Sequence, residues 1–238
     1  MGRRPGATGE GAERDGVSLR RLTTPRSAAW AGVVFAVLFG TSLVLMRTAI
    51  PADPLAEQDW VSEGSGRVRL ATTLLPFAGI AFLWFIGVVR DRLGDFEDRF
   101  FSSVVLGSGL LFLAMTFVAA AVAGSILLTA SGAPTGTDTA PVVRFGRAIM
   151  LQVANVYALR MAGVFMISLA TTWLRTGLMP GPVVMVTYLL ALVLLVVTSL
   201  SLWATLVFPV WVLVVSVIFL VRSQATGDRG APDAQPRS

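Results

Sequence analysis

Long apolar blocks alternate with short charged ones along the chain. The apolar runs are Ala28–Met46, Leu70–Val89, Phe101–Leu128, Ala148–Leu174 and Val183–Val221. A membrane core of ~30 Å needs about 20 apolar residues of helix at 1.5 Å each, and the first four runs each meet that length. The last is 39 residues without a charge, and one helix of that length would measure roughly 58 Å, about twice the core. It therefore predicts two spans folded as a tight hairpin, turning near Ser199–Ala204, with Ser199, Ser201 and Trp203 at an interface. The runs are apolar all round rather than on one face, which argues against a water-soluble helical core. The pattern predicts an all-α fold, a six-span transmembrane helical bundle over residues 28–221. Residues 1–27 and 222–238, rich in Gly, Arg and acidic residues, read as disordered cytoplasmic tails.

Arginine placement sets the threading. The 19 basic residues are all Arg, and six spans put both termini on one side. If that side is cytoplasmic, 13 Arg lie inside and five (Arg47, Arg67, Arg69, Arg144 and Arg147) outside, with Arg160 within a span. That asymmetry predicts cytoplasmic termini and a plasma-membrane location. Trp30 and Trp173 fall near the inner boundary and Trp60 and Trp203 near the outer one, as aromatic belts require, whereas Trp84 and Trp211 read as packing residues. The first run has no small-residue cleavage pattern and reads as a retained anchor. The net charge of +5 fits attraction to anionic lipid headgroups at the inner face. With no folded basic domain, it does not suggest nucleic-acid binding.

Composition then narrows the chemistry. The chain has no Cys and no His, which removes disulfides, thiolate nucleophiles, His/Cys-ligated zinc and Ser–His catalysis. No run contains Asp or Glu, so a membrane-embedded aspartyl pair or carboxylate proton relay is absent too. No catalytic, cofactor-binding or metal site is expected.

The fourth run carries the candidate polar contacts. On a regular helix Arg144, Arg147, Gln152 and Asn155 share one arc, with Arg160 beyond it. Either the span starts near Ala148 and buries Arg160 at mid-depth, or Val142–Asn155 lies in the outer interface and the span is Tyr157–Leu174, leaving Arg160 to snorkel. Arg160, Gln152 and Asn155 are the candidates for contact with an anion or a lipid phosphate. The first outer loop carries Asp53, Glu57, Asp59 and Glu63, and Asp53-Pro54 predicts a short helix to about Ser62. The third run has small residues, Ser103, Gly107, Ala114, Ala121 and Ser125, on one face. Core packing inside the monomer is the plain expectation for that face, and dimerisation the alternative. Pro76 and Pro209 predict kinks in the second and sixth spans.

Two stretches resemble known families. Gly87-Val-Val-Arg90-Asp91-Arg92-Leu93-Gly94 resembles the core of the cytoplasmic loop motif of major facilitator transporters. The basic residues that follow in that family are replaced here by Asp95, Phe96, Glu97 and Asp98, and six spans are half such a transporter. The plainer reading is a charged inner turn. Arg160-Met-Ala-Gly-Val-Phe-Met-Ile-Ser168 with Leu174-Arg175-Thr-Gly-Leu-Met-Pro180, and Glu97–Phe101 running on to Leu106–Leu110, resemble a pattern in small, uncharacterised integral membrane proteins of actinobacteria. That resemblance implies a polytopic membrane protein and brings no activity with it. The expectation is a non-enzymatic multi-pass plasma-membrane protein, an accessory or assembly component, with the bilayer and either a membrane-protein partner or a second copy as its contacts. The alternative is a small transporter or permease-like protein acting as an oligomer. A polar cavity reaching Arg160, Gln152 and Asn155 would favour the transporter, and a bundle filled with apolar side chains the accessory component.

Overall fold

A computed structural model describes residues 25–50, 63–93, 99–134, 137–196 and 202–227. They are helical, with no strand among them. The elements are α1 (Pro25–Ala49), α2 (Ser65–Leu93), α3 (Arg99–Gly132) and α4 (Ala140–Gln152), then a π-helical segment (Val153–Ala158) running into α5 (Leu159–Thr176). α6 (Gly181–Val196), a 3₁₀ turn (Leu202–Leu206) and α7 (Val207–Gly227) complete the described chain. Among the described residues five helices are long and apolar enough to cross a membrane, counting Ala140–Thr176 as one, and α6 is a shorter apolar helix. The chain is thus a multi-pass membrane protein built as a helical bundle.

Several boundaries differ from the sequence expectation. α1 begins at Pro25, inside the stretch read as tail, because proline suits the first position of a helix. α7 runs to Gly227, past the end of the apolar run. Pro209 sits in the first turn of α7, where its missing N–H has no intrahelical partner to lose, so no kink is required there. Pro76 lies inside α2, which continues through it. The expected tails over residues 1–24 and 228–238, the Asp53–Ser62 helix, the acidic turn at 94–98 and the first part of the Ser199–Ala204 turn lie outside the described residues.

The fourth run lies within a longer helix. Ala140–Thr176 is one continuous helical rod, and its register changes at the π segment. α4 buries Val143, Arg147 and Met150. A regular helix would carry that stripe on through positions 154 and 157. The wider π turn instead brings Ala158 inward and leaves Tyr157 half exposed. α5 then buries Leu159, Ala162, Phe165, Met166 and Leu169, and ends at Gly177 with φ 66°, a left-handed cap glycine accepts without Cβ strain.

α1 packs on α2 and α7; α3 packs on α2, α4 and α5; α6 packs on α5. The axis is filled by aromatic rings from five helices. Phe82 of α2 lies 4.6 Å from Phe35, 5.5 Å from Phe112, 5.4 Å from Phe165 and 5.7 Å from Phe208, centroid to centroid. Trp211 and Trp173 extend the stack along α7 and α5. Trp173 is therefore buried rather than part of an interfacial belt, and Trp84, read as a packing residue, lies on the outer surface. The small-residue face of α3 also corrects the plain expectation. Ser103, Ala114, Ala121 and Ser125 are exposed on the outside of the bundle, while Val105, Phe112, Leu113 and Thr116 face inward. α6 and α7 do not form a tight hairpin: an apolar groove of about 540 Å³ separates them.

Candidate functional site

One group of polar residues converges where α1 ends. Arg47, in the last turn of α1, donates from Nη2 to Oδ1 of Asn155 at 2.6 Å, across 108 positions of sequence. Asn155 sits within the π segment, whose changed register accompanies its half-buried position. Arg67, two residues into α2, donates from Nη1 to the Thr48 carbonyl at 2.7 Å. That satisfies one of the carbonyls a helix leaves unpaired in its final turn, and it sets a cation at the negative end of the α1 dipole.

Beneath the Arg47–Asn155 pair lies a cavity of about 70 Å³ between α1, α3 and the π segment, closed on one side by Thr205 of the 3₁₀ turn. That is several times the ~10–15 Å³ needed to admit one water molecule. Its polar lining is Ser42, Arg47, Thr116 and Thr205, among apolar walls such as Phe39, Phe112 and Ala154. The Ser42 and Thr116 hydroxyls already donate to the Leu38 and Phe112 carbonyls, each at 2.8 Å, so they present lone pairs to the cavity. A guanidinium beside hydroxyl acceptors can hold ordered water, which donates to the hydroxyls and accepts from the guanidinium. The lining contains no carboxylate to act as a general base. No group of three or more His, Cys, Asp or Glu is placed to hold a metal among the described residues.

The sequence candidates separate. Asn155 turns inward to Arg47; Gln152 and Arg160 are exposed on the outer surface of the rod. The arc drawn for Arg144, Arg147, Gln152 and Asn155 splits in the same way, with Arg147 buried and Arg144 exposed. Arg47 was missed as a partner because its place at the end of an apolar run reads as a boundary residue. The sequence signal available was an Arg and an Asn, each isolated in apolar surroundings. Nothing local marks the π turn that brings them together.

These positions predict unequal costs. Asn155→Ala removes the acceptor from a half-buried cation and is expected to cost about 1–2 kcal/mol, towards the value of a hydrogen bond to a charged group. Arg160→Gln, on the surface, is expected to stay within about 0.5 kcal/mol. Thermal unfolding of the two variants in detergent checks the ordering, and equal losses would contradict it.

Compared with protein-family models, with curated proteins and with solved structures, the chain matches none. What the fold defines is the class: a multi-pass helical membrane protein.

Proposed function

We propose that the protein is a non-enzymatic component of the plasma membrane, an accessory or assembly subunit that acts by contact with another membrane protein. The observation that carries this reading is the filled axis. Phe35, Phe82, Phe112, Phe165 and Phe208 interlock at centroid distances of 4.6–6.1 Å where a transporter would need a path. The polar cavity at Arg47 favours the second reading, a small transporter working as an oligomer. Its volume of about 70 Å³ and its lack of carboxylates weigh against that reading.

Purification from native membranes in a mild detergent tests the proposal. A stoichiometric membrane-protein partner is expected, and liposomes carrying the purified chain are expected to stay as solute-tight as empty ones. Recovery of the chain alone, with solute uptake by its liposomes, would replace the accessory reading by the transporter one.

The proposed threading, both ends cytoplasmic, is tested separately. The sequence has no Cys, so single substitutions report cleanly. Thr137→Cys is expected to react with a membrane-impermeant maleimide in intact cells, and Ala234→Cys only after permeabilisation. Reaction of Ala234→Cys from outside would refute the threading.

A further inference from the structure

An open groove between α6 and α7 lies apart from the site above. Its walls are Pro182, Val183, Val186 and Leu190 on one side and Val207, Val210, Val214 and Ile218 on the other. Its floor is sealed. Trp211 Nε1 donates to Thr187 Oγ1 at 3.0 Å, and that hydroxyl donates to the Val183 carbonyl at 2.8 Å. The groove therefore offers van der Waals surface along its length and no unmet hydrogen bond at its floor. Val186, Val210 and Val214 on its rims are about half exposed, so it opens sideways, to the lipid rather than to the bundle axis.

Length and charge identify the occupant. The α7 wall from Val207 to Ile218 rises roughly 16 Å, about half of a ~30 Å hydrocarbon core and so the depth of one leaflet. Arg222 is one helical turn beyond Ile218 on the same stripe, where that leaflet meets its headgroups. It is exposed, and its Nη1 donates to the Leu178 carbonyl at 2.8 Å, which holds the guanidinium across the end of the groove beside the α5–α6 turn. The guanidinium carries a full positive charge to that end of the groove, and its planar fork of donors, one of them given to Leu178, has the geometry that suits phosphate. A transmembrane helix fits this groove less well: helices approach through Gly, Ala, Ser or Thr, and the lining has one of these, Thr187, already bonded to Trp211 at the floor.

We propose that the α6–α7 groove is a binding site for one anionic glycerophospholipid, its acyl chain lying against Trp211 and its phosphate at Arg222. The site is independent of the accessory role proposed above.

Reconstitution with phosphatidylglycerol carrying a diazirine in its acyl chain tests this on the unaltered protein. Photolabel is expected to concentrate on Val186, Val210 and Val214. Unlabelled phosphatidylglycerol is expected to displace it about fivefold better than phosphatidylcholine, the preference one Arg confers near a membrane surface. Arg222→Gln is expected to remove that preference while labelling of the groove persists. Val214→Phe is expected to remove the labelling, with thermal unfolding unchanged. Label spread evenly over exposed positions such as Val34 and Leu111 would overturn the proposal. So would equal displacement by the two lipids, or Val210→Cys proteins that cross-link groove to groove as a dimer.

Discussion

Phe82→Ala is expected to be among the most damaging single substitutions in the described bundle. Phe82 is fully buried and its ring meets those of Phe35, Phe85, Phe112, Phe165 and Phe208, which come from α1, α2, α3, α5 and α7. Truncation removes one ring from contact with five others and leaves a void that no flexible chain can fill, since its neighbours are rigid aromatics. Phe→Ala in well-packed cores costs about 3–5 kcal/mol. The lower end is expected here. Helices that separate in lipid or detergent stay in an apolar medium, so packing is lost but little hydrophobic transfer. Trp84→Ala is the control. Trp84 is 69% exposed on the same helix, and its loss is expected to cost no more than about 0.5 kcal/mol. Denaturant unfolding in mixed micelles measures both. A Phe82→Ala loss as small as that of Trp84→Ala would mean that the aromatic stack does not hold the bundle together.

The contrast between those two residues also shows what the sequence discloses. Both lie in one apolar run, two positions apart, and hydropathy gives them the same role. The runs made the helical class and the approximate spans legible, because only apolar length matters for crossing a bilayer. They did not make helix orientation legible, because a segment surrounded by lipid needs no polar face. The outward Trp84 and the outward small-residue face of α3 follow from that. The candidate site was legible only in part. Asn155 could be named as an isolated polar residue in an apolar run. Its partner Arg47 lies 108 positions away and meets it through a π turn, a backbone choice that no residue in Val153–Ala158 announces. Conversely, the open angle between α6 and α7 depends on which neighbour each helix prefers, α5 for one and α1 for the other. A hydropathy trace treats the two as adjacent halves of a single run.

A close approach of α1 and α7 at Gly32 supplies a second large and more diagnostic effect. A Cβ added at Gly32 would collide with Ser216 Oγ and stand 2.9 Å from the ring of Phe85. Neither neighbour can move far. Ser216 is fully buried, and Phe85 is fully buried in the aromatic core. Gly32→Ala is therefore expected to push α7 off α1 and to cost about 1–3 kcal/mol, the usual penalty for overfilling a packed interior. Any gain from replacing glycine by alanine within a helix is about 1 kcal/mol and does not reverse the sign. Ser216 Oγ has no hydrogen-bond partner among the described residues, so Ser216→Ala removes a buried polar atom that bonds to nothing and is expected to be neutral or slightly stabilising. The two positions should then couple. In Gly32→Ala/Ser216→Ala the nearest obstructing atom is gone and the Phe85 ring edge remains, so most but not all of the Gly32→Ala loss is expected to return. A double-mutant cycle on unfolding in detergent reads this as an interaction energy of at least about 1 kcal/mol. Additive effects would show that α1 and α7 do not pack through Gly32 and Ser216, and with that contact would go the wall that sets α7 at its distance from α6.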